Sequence, residues 1–191
     1  MPKLYFRYGT MGSSKTANLL MVAHNYTQNH GKRILVVKPS VDKRSGDDIK
    51  SRAIKDPLRA DLILHPEDDL KINTSGYSVI LVDEAQFLSK TNVDGLRDLS
   101  RHISVICYGL RTDYRTNFFE GSKRLMEVAD SIEEIKSMCS ECDKKAIVTG
   151  KFIMDPDSVF PRIVKHGSGE LELGWDEKYR SLCWFCWNDY V

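Results

Sequence analysis

The stretch Leu4-Tyr5-Phe6-Arg7-Tyr8-Gly9-Thr10-Met11-Gly12-Ser13-Ser14-Lys15-Thr16 decides the fold. It opens on a short apolar run that predicts a β-strand, and it continues as a glycine-bearing turn that ends in Lys-Thr. Periodic apolar residues from Leu19 to Tyr26 follow, so we expect a helix to open at Lys15. A strand, such a turn and a helix form a phosphate-binding loop, because the N–H groups of the turn and the positive end of the helix attract an anion.

The residues of this loop suit a nucleoside triphosphate. Lys15 can reach the β- and γ-phosphates, and the Thr16 hydroxyl can ligate Mg²⁺. The match is inexact, because the usual pattern has glycine where Ser14 stands. The predicted phosphate-binding residues are Gly9, Thr10, Met11, Gly12, Ser13, Ser14, Lys15 and Thr16.

The composition of the 191-residue chain narrows the class of protein. Twenty-eight basic and 27 acidic residues give a net charge of +1, and the basic residues are scattered, which argues against a nucleic-acid partner. No apolar run is long enough to span a bilayer, and the first residues lack the apolar stretch of a secretory signal. We therefore expect a cytoplasmic protein with no membrane partner.

Apolar runs at 33–38, 78–82 and 103–108 alternate with helical segments. This alternation predicts an α/β fold of the P-loop NTPase (RecA-like) kind, a parallel sheet flanked by helices, with its ligand site at the carboxyl ends of the strands. The charged segment 39–57 is expected to be a mobile loop or a partly ordered segment. Because the pattern changes after Ile135, we predict a nucleotide-binding domain over 1–135 and a small C-terminal domain over 136–191.

Two carboxylates stand at the end of the buried strand 78–82. In P-loop proteins an acidic residue at this place organises the Mg²⁺ shell, a role that we assign to Asp83. Glu84 would then be the general base that takes a proton from the group attacking the γ-phosphate. If water attacks, the protein is an ATPase, and if an alcohol attacks, it is a kinase.

Four of the five cysteines form two C-x-x-C pairs, Cys139 with Cys142 and Cys183 with Cys186. Two such pairs can complete a tetrahedral Cys₄ zinc site, which leaves no coordination position for a substrate and is therefore structural. Cys107 lies inside an apolar run, so we expect it to be a buried core thiol.

The order and spacing of these motifs resemble the thymidine kinases of the zinc-containing, cellular type (type II). The resemblance is carried by Met11 in the loop, by the strand end 83–87 (Asp-Glu-Ala-Gln-Phe), by a Gly-Leu-x-x-Asp-Tyr-Arg segment from Gly109, and by the two cysteine pairs. It runs from Gly9 to Cys186. It implies transfer of the ATP γ-phosphoryl group to the 5′-hydroxyl of thymidine, with Mg²⁺ and a structural Zn²⁺.

The resemblance also implies roles for single residues. Glu84 would accept the proton of the 5′-hydroxyl, while Asp42 and Arg44 match a D-x-R near the metal and the phosphates. A lasso from about residue 150 to 178 would close over the base and read it through main-chain groups. The implied substrate-binding residues are Met11, Arg52, Gln86, Phe87, Leu110, Tyr114, Phe119 and Tyr179. A homotetramer with feedback inhibition by dTTP is implied as well.

The chain departs from the family pattern at Ser14, at Arg111, where many relatives have aspartate, and at Trp175, where the lasso usually has glycine. Two other classes stay open at this point. A nucleic-acid motor or switch ATPase with a zinc ribbon would use Glu84 to activate water. A zinc-stabilised binding module without catalysis would require Ser14 to disable the loop.

Overall fold

The computed structural model describes residues 1–28, 32–42, 46–154, 161–167 and 178–190. In chain order the strands are β1 Leu4–Tyr8, β2 Arg33–Pro39, β3 Asp48–Ile49, β4 Leu58–Arg59, β5 Leu62–Leu64, β6 Tyr77–Val82, β7 Ser104–Gly109, β8 Ser131–Glu134, β9 Val148–Ile153, β10 Arg162–Val164 and β11 Tyr179–Leu182. The helices are α1 Lys15–Thr27, α2 Lys90–Leu99, α3 Glu120–Val128 and α4 Trp184–Asp189, with a 3₁₀ turn at Ala85–Phe87.

Six strands form an all-parallel sheet in the order β5-β2-β6-β7-β1-β8. The inner strands β6 and β7 are continuous apolar runs because helices cover both faces of the sheet. Side chains of α2 and α3 pack on one face, and those of α1 pack on the other. The predicted α/β fold is confirmed. Within the described residues, no helix has the length and apolar character needed to cross a membrane.

Strand β8 and helix α3 had no counterpart among the predicted elements. Strand β8 adds to the sheet beside β1, with Tyr5 in register with Ser131, and Arg7 forms an ion pair with Glu133 at 2.9 Å. Its sequence, Ser-Ile-Glu-Glu, lacks an apolar run because an edge strand is covered on few sides. Its pairing with β1 is therefore invisible to hydrophobic patterning.

The segment 39–57, expected to be mobile or partly ordered, contains folded structure on both sides of residues 43–45, which lie outside the described residues. Strand β3 pairs with β4 in an antiparallel ribbon, and Ile49 packs against the α1 side of the sheet. At the root of this segment, Lys38 forms a buried ion pair with Asp42 at 3.2 Å and donates to the carbonyl of Gly46 at 2.8 Å. The charged side chain of Asp42 thus helps to anchor this segment to the end of β2.

The chain beyond Ile135 forms a separate three-stranded antiparallel sheet in the order β10-β9-β11, with the short helix α4 against it. Its apolar cluster includes Val148, Phe152, Leu182 and Trp187 together with the cysteines of both pairs. This sheet lies beside the phosphate loop, because Thr149 and Ser181 hydrogen-bond to residues of the loop.

Candidate nucleotide and nucleoside site

The phosphate loop connects β1 to α1 and is held in a tight turn. A side chain at Gly9 would meet Ser13 Oγ at 2.3 Å and the Ile135 carbonyl at 2.6 Å, so only glycine fits there. Gly12 and Ser14 both adopt left-handed backbone conformations, with φ of 77° and 65°. This conformation explains why glycine is usual at the position of Ser14. Ser14 adopts the glycine-type conformation at a cost on the order of 1 kcal/mol, so the serine preserves the turn.

Lys15 and Thr16 lie at the first turn of α1, where the sequence placed them. The Lys15 ammonium is buried and donates to the Thr10 carbonyl at 2.7 Å. The Thr16 hydroxyl donates to Asp83 Oδ2 at 3.2 Å. Asp83 directly follows β6, which lies two strands from β1 in the sheet. The parallel sheet therefore brings the Asp83 carboxylate and the Thr16 hydroxyl to the same edge.

These oxygens suit a magnesium ion. Mg²⁺ prefers hard oxygen ligands such as a carboxylate and a threonine hydroxyl, and it keeps several waters. Burial, followed by the neighbouring charge of Glu84, raises the pKa of Asp83 to about 7. A buried carboxylate in this position gains most from a nearby cation, because the cation offsets the burial penalty.

Glu84 follows Asp83 and has a strained backbone, with φ 50° and ψ 38°. The buried side chain of Gln86 donates from Nε2 to Glu84 Oε2 at 2.5 Å, and its Oε1 accepts from the backbone N–H of Leu110 at 3.0 Å. A Cβ at Gly109 would lie 2.9 Å from Gln86 Oε1, so glycine is needed for this approach. Gln86, predicted to bind substrate, contacts Glu84 and Leu110 and thereby orients the carboxylate.

A cleft of about 320 Å³ lies at this edge of the sheet. It is lined by the phosphate loop, by the segment from Lys50 to Ala53, by Glu84 and by Leu110 and Tyr179. The predicted residue Arg52 therefore lies in the same cleft as Glu84 and Lys15. Lys50, which the sequence analysis did not single out, lines it as well.

The predicted apolar wall forms one cluster beside this cleft. Leu110, Tyr114, Phe119 and Tyr179 are its buried members, and the partly buried side chains of Met11, Phe87 and Val164 pack against them. The rings of Phe87 and Phe119 meet edge to face, with centroids 5.8 Å apart. Six predicted residues from four separate segments thus come together. Val164 also joins the cluster, and the sequence analysis missed it because a strand as short as β10 has no recognisable pattern.

The segment after β7 is braced by a buried carboxylate. Asp113 accepts hydrogen bonds from the backbone N–H groups of Arg115 and Asn117, both at 2.9 Å, and from the Arg115 guanidinium, with Nε at 2.8 Å. Arg115 Nη1 also donates to the Gly167 carbonyl at 2.9 Å. The turn that carries Tyr114 is therefore tied to the chain that follows β10.

Asp42, which the resemblance places near the metal and the phosphates, is buried in its ion pair with Lys38. Arg44, Trp175 and most of the predicted lasso lie outside the described residues. Arg111, the other departure from the family pattern, donates to the Ile147 carbonyl at 3.2 Å and lies over the Tyr8 ring, so it joins the two sheets.

The four paired cysteines come together as the spacing predicts. Their sulfurs all lie within 4.8 Å of one another, with Cys142 to Cys183 at 3.7 Å and Cys142 to Cys186 at 3.6 Å. Tetrahedral zinc at a Zn–S distance of about 2.3 Å requires sulfurs roughly 3.8 Å apart, so the residues fit this metal. Cys107 is fully buried, and burial raises the pKa of its thiol, as expected for a core cysteine.

Fold and site together define a class, the P-loop enzymes that hold a nucleotide at the carboxyl edge of a parallel sheet and carry carboxylates beside it. Within that class the chain belongs to the thymidine kinase family, whose pattern matches residues 2–187. It is 36% identical to the thymidine kinase of Streptococcus pyogenes serotype M3 over 197 residues, which cover 96% of this chain and 95% of the relative.

Two further relatives carry the same name. The thymidine kinase of Lactococcus lactis subsp. lactis is 36% identical over 190 residues, covering 96% of this chain and 95% of the relative. That of Xanthomonas axonopodis pv. citri is 36% identical over 197 residues, covering 95% and 87%.

Proposed function

We propose that the chain is an ATP-dependent thymidine kinase, which transfers the γ-phosphoryl group of ATP to the 5′-hydroxyl of thymidine and yields dTMP and ADP in nucleotide salvage. One observation carries the proposal in this structure. Glu84 lines a single cleft together with the phosphate loop and with Leu110 and Tyr179 of the apolar cluster. A donor phosphate and an acceptor nucleoside can therefore meet at its carboxylate.

On the donor side, Lys15 and the N–H groups of the loop stabilise charge on the phosphates. Arg52 lines the same cleft and compensates the charge on the transferred group, with Arg44 as the second predicted arginine. Thr16 and Asp83 would hold Mg²⁺, which neutralises phosphate charge when bound. Asp42 is proposed to support this region through its ion pair with Lys38.

On the acceptor side, Glu84 takes the proton of the 5′-hydroxyl as that oxygen attacks the γ-phosphorus. The hydrogen bond from Gln86 to Oε2 orients this carboxylate in the cleft. An alcohol held in this position competes with water for the phosphoryl group. The protein therefore acts as a kinase, and this distinguishes it from an ATPase that would use the same carboxylate to activate water.

The thymine ring is proposed to lie against Met11, Phe87, Leu110, Tyr114 and Phe119, with Tyr179 closing the far side. A flat base gains from apolar burial and from edge contacts with aromatic rings. A lasso over 150–178 would complete the pocket and exclude water. A tight pocket that is shaped to thymine would reject the larger purine ring.

We also propose the assembly and regulation that the family resemblance implies. The chain would act in the cytoplasm as a homotetramer, dTTP would inhibit it by occupying the site, and the cysteines would hold one structural Zn²⁺. The division into a nucleotide-binding domain over 1–135 and a zinc-binding domain over 136–191 agrees with the boundary between the two sheets.

The test is a coupled assay of ADP release with thymidine, deoxyuridine, deoxycytidine and the purine deoxynucleosides. We expect thymidine to be phosphorylated and both purine deoxynucleosides to be left unchanged. ATP hydrolysis that DNA stimulates, without thymidine-dependent ADP release, would contradict the proposal and favour the motor ATPase. ATP binding without turnover on any deoxynucleoside would favour the non-catalytic module.

A further inference from the structure

Two serines outside the cleft share one sequence position relative to the cysteines. Ser137 stands two residues before Cys139, and Ser181 stands two residues before Cys183, so both cysteine pairs read Ser-x-Cys-x-x-Cys. The sequence analysis gave neither serine a role. Both of their hydroxyls point to one residue of the phosphate loop, Thr10.

The contacts form a continuous chain from one sheet to the other. Ser137 Oγ lies 2.7 Å from Thr10 Oγ1, and Ser181 Oγ lies 2.9 Å from the same atom. Ser181 Oγ also lies 2.5 Å from the Met11 carbonyl, and the Met11 N–H donates to Thr149 Oγ1 at 3.1 Å. Ser137, Thr149 and Ser181 are here called the hydroxyl cluster.

Ser181 is the donor that joins two residues of the loop. Its hydroxyl donates towards Thr10 Oγ1 and towards the Met11 carbonyl, so a single proton is shared between these two acceptors. Between Thr10 and Ser137 either hydroxyl can donate. Connected hydrogen bonds of this kind strengthen one another.

The hydroxyl cluster is itself held by the cysteine module. The Ser181 carbonyl accepts from the Ser140 N–H at 2.8 Å, and the Ser137 carbonyl accepts from the Ala146 N–H at 2.9 Å. The first of these bonds joins the segments of the two cysteine pairs, and the second closes the segment of the first pair on itself. A zinc ion that draws the four sulfurs together would fix the same backbone.

On the other side, Thr10 controls the position of Lys15. Its carbonyl accepts from Lys15 Nζ at 2.7 Å and from the Ser13 N–H at 3.2 Å. A fixed Thr10 therefore holds both the Lys15 ammonium, which neutralises phosphate charge, and the Ser13 N–H in place. A loop that is held in the binding conformation loses less entropy when ATP binds.

From these contacts we infer that Ser137, Thr149 and Ser181 are positioning residues for the phosphate loop, through which the zinc-bound module sets the affinity for ATP. They touch neither the phosphates nor the reacting atoms. This inference rests on the proposed function only in that ATP binds at the loop.

The first experiment compares the double variant S137A/S181A with the unaltered protein. Calorimetry with MgATP and no nucleoside measures the dissociation constant, and metal analysis measures zinc per chain. We expect ATP to bind roughly tenfold more weakly, since three hydrogen bonds to the loop are lost and part of their net strength acts on ATP binding. The KM for ATP rises likewise, whereas kcat at saturating ATP and the zinc content are retained. A merely structural role would lower the active fraction and leave the affinity unchanged.

Matched variants test the cause. The Ser140 hydroxyl donates to the Ser181 carbonyl at 3.1 Å and does not reach the loop. Ser140→Ala should therefore leave the ATP affinity unchanged. Ser181→Thr keeps a hydroxyl and should restore most of the affinity that Ser181→Ala loses.

Thr10→Val approaches the network from the loop side and leaves the cysteine module intact. It should weaken ATP binding as the serine variants do, and combining it with Ser181→Ala should weaken binding by less than the sum of the two single effects, because both remove the contact between Ser181 and Thr10. This variant decides the matter if the serine variants lose zinc. Unchanged ATP affinity in Thr10→Val, or effects that simply add, would overturn the inference. Failure of the unaltered protein to bind ATP would instead contradict the proposed function.

Discussion

Glu84 combines a left-handed backbone with a carboxylate that Gln86 orients by a hydrogen bond to Oε2. Glu84→Gln keeps the shape of the side chain and removes its basicity. We expect kcat for thymidine to fall roughly 10²- to 10⁴-fold, the usual contribution of a general base, with MgATP affinity and zinc content retained.

Glu127→Gln is the matched control, because Glu127 pairs with Arg124 at 2.9 Å on α3 and lines no part of the cleft. Its turnover should equal that of the unaltered protein. Thymidine phosphorylation by Glu84→Gln at a near-normal rate would mean that another group takes the proton.

Few residue types tolerate the φ of 65° that Ser14 adopts. Ser14→Val places a β-branched side chain in this conformation and should lower the free energy of unfolding by roughly 1–3 kcal/mol. Ser14→Gly should keep both stability and MgATP affinity, and chemical denaturation measures the difference. Equal stability of the valine and glycine variants would show that the loop relaxes to another conformation.

Among the elements, the segment between β2 and β4 depends on one buried ion pair. The side chains of Lys38 and Asp42 are only 3% and 6% exposed, so removing one charge leaves the other buried without its partner. We expect Asp42→Asn to lower the free energy of unfolding by about 3 kcal/mol, measured by urea titration without ligand.

Asp69→Asn is the comparison, because Asp69 pairs with Lys71 at 2.8 Å on an exposed surface. The unfolding midpoint should stay where it is in the unaltered protein. A similar midpoint for Asp42→Asn would mean that the Gly46 carbonyl suffices to hold Lys38.

The two cysteine knuckles give the fourth prediction. Cys186→Ala should lose the metal and destabilise the β9–β11 sheet by roughly 4 kcal/mol or more, since three sulfurs cannot close a structural site. Metal analysis and thermal unfolding measure this. Cys107→Ala, in the core of the large sheet, should keep one zinc per chain. Zinc retained in Cys186→Ala would require a ligand other than the four cysteines.

The comparison of sequence and structure shows which elements patterning can reveal. Buried strands such as β6 and β7 can be recognised in the sequence as apolar runs, and motifs such as Asp83-Glu84 follow them directly. Strand β8 escapes because its partner β1 is more than 120 residues away and its own residues are polar. The same limit hid Thr149 and Ser181, since small hydroxyl residues carry no periodic signal.

At the scale of the whole molecule, the site depends on chain segments that are far apart in sequence. The cleft draws on the phosphate loop, the ribbon that follows β2, the ends of β6 and β7, and Tyr179 of β11. Most of these residues belong to the motifs that carry the family resemblance, and the structure brings them to one cleft. Their contacts, such as the bond from Gln86 to Glu84, needed coordinates.

The number of chains in the assembly can be tested by its mass in solution. Each chain has a mass of 21.9 kDa, and we expect light scattering after gel filtration to give four times this mass. Dilution should leave the mass unchanged over the range used in activity assays. A particle of one chain mass that still phosphorylates thymidine would show that the family's tetramer is not needed for catalysis.

Strand β1 pairs with β7 and β8, which follow it far along the chain, with Leu4 in register with Val105 and Tyr5 with Ser131. The phosphate loop therefore cannot take its final shape until most of the large sheet has been synthesised. Pairings between such distant segments form slowly, because the intervening chain must be closed first. A nascent chain halted before β8 should lack nucleotide affinity, which delays binding until the last strand of the large sheet has been made.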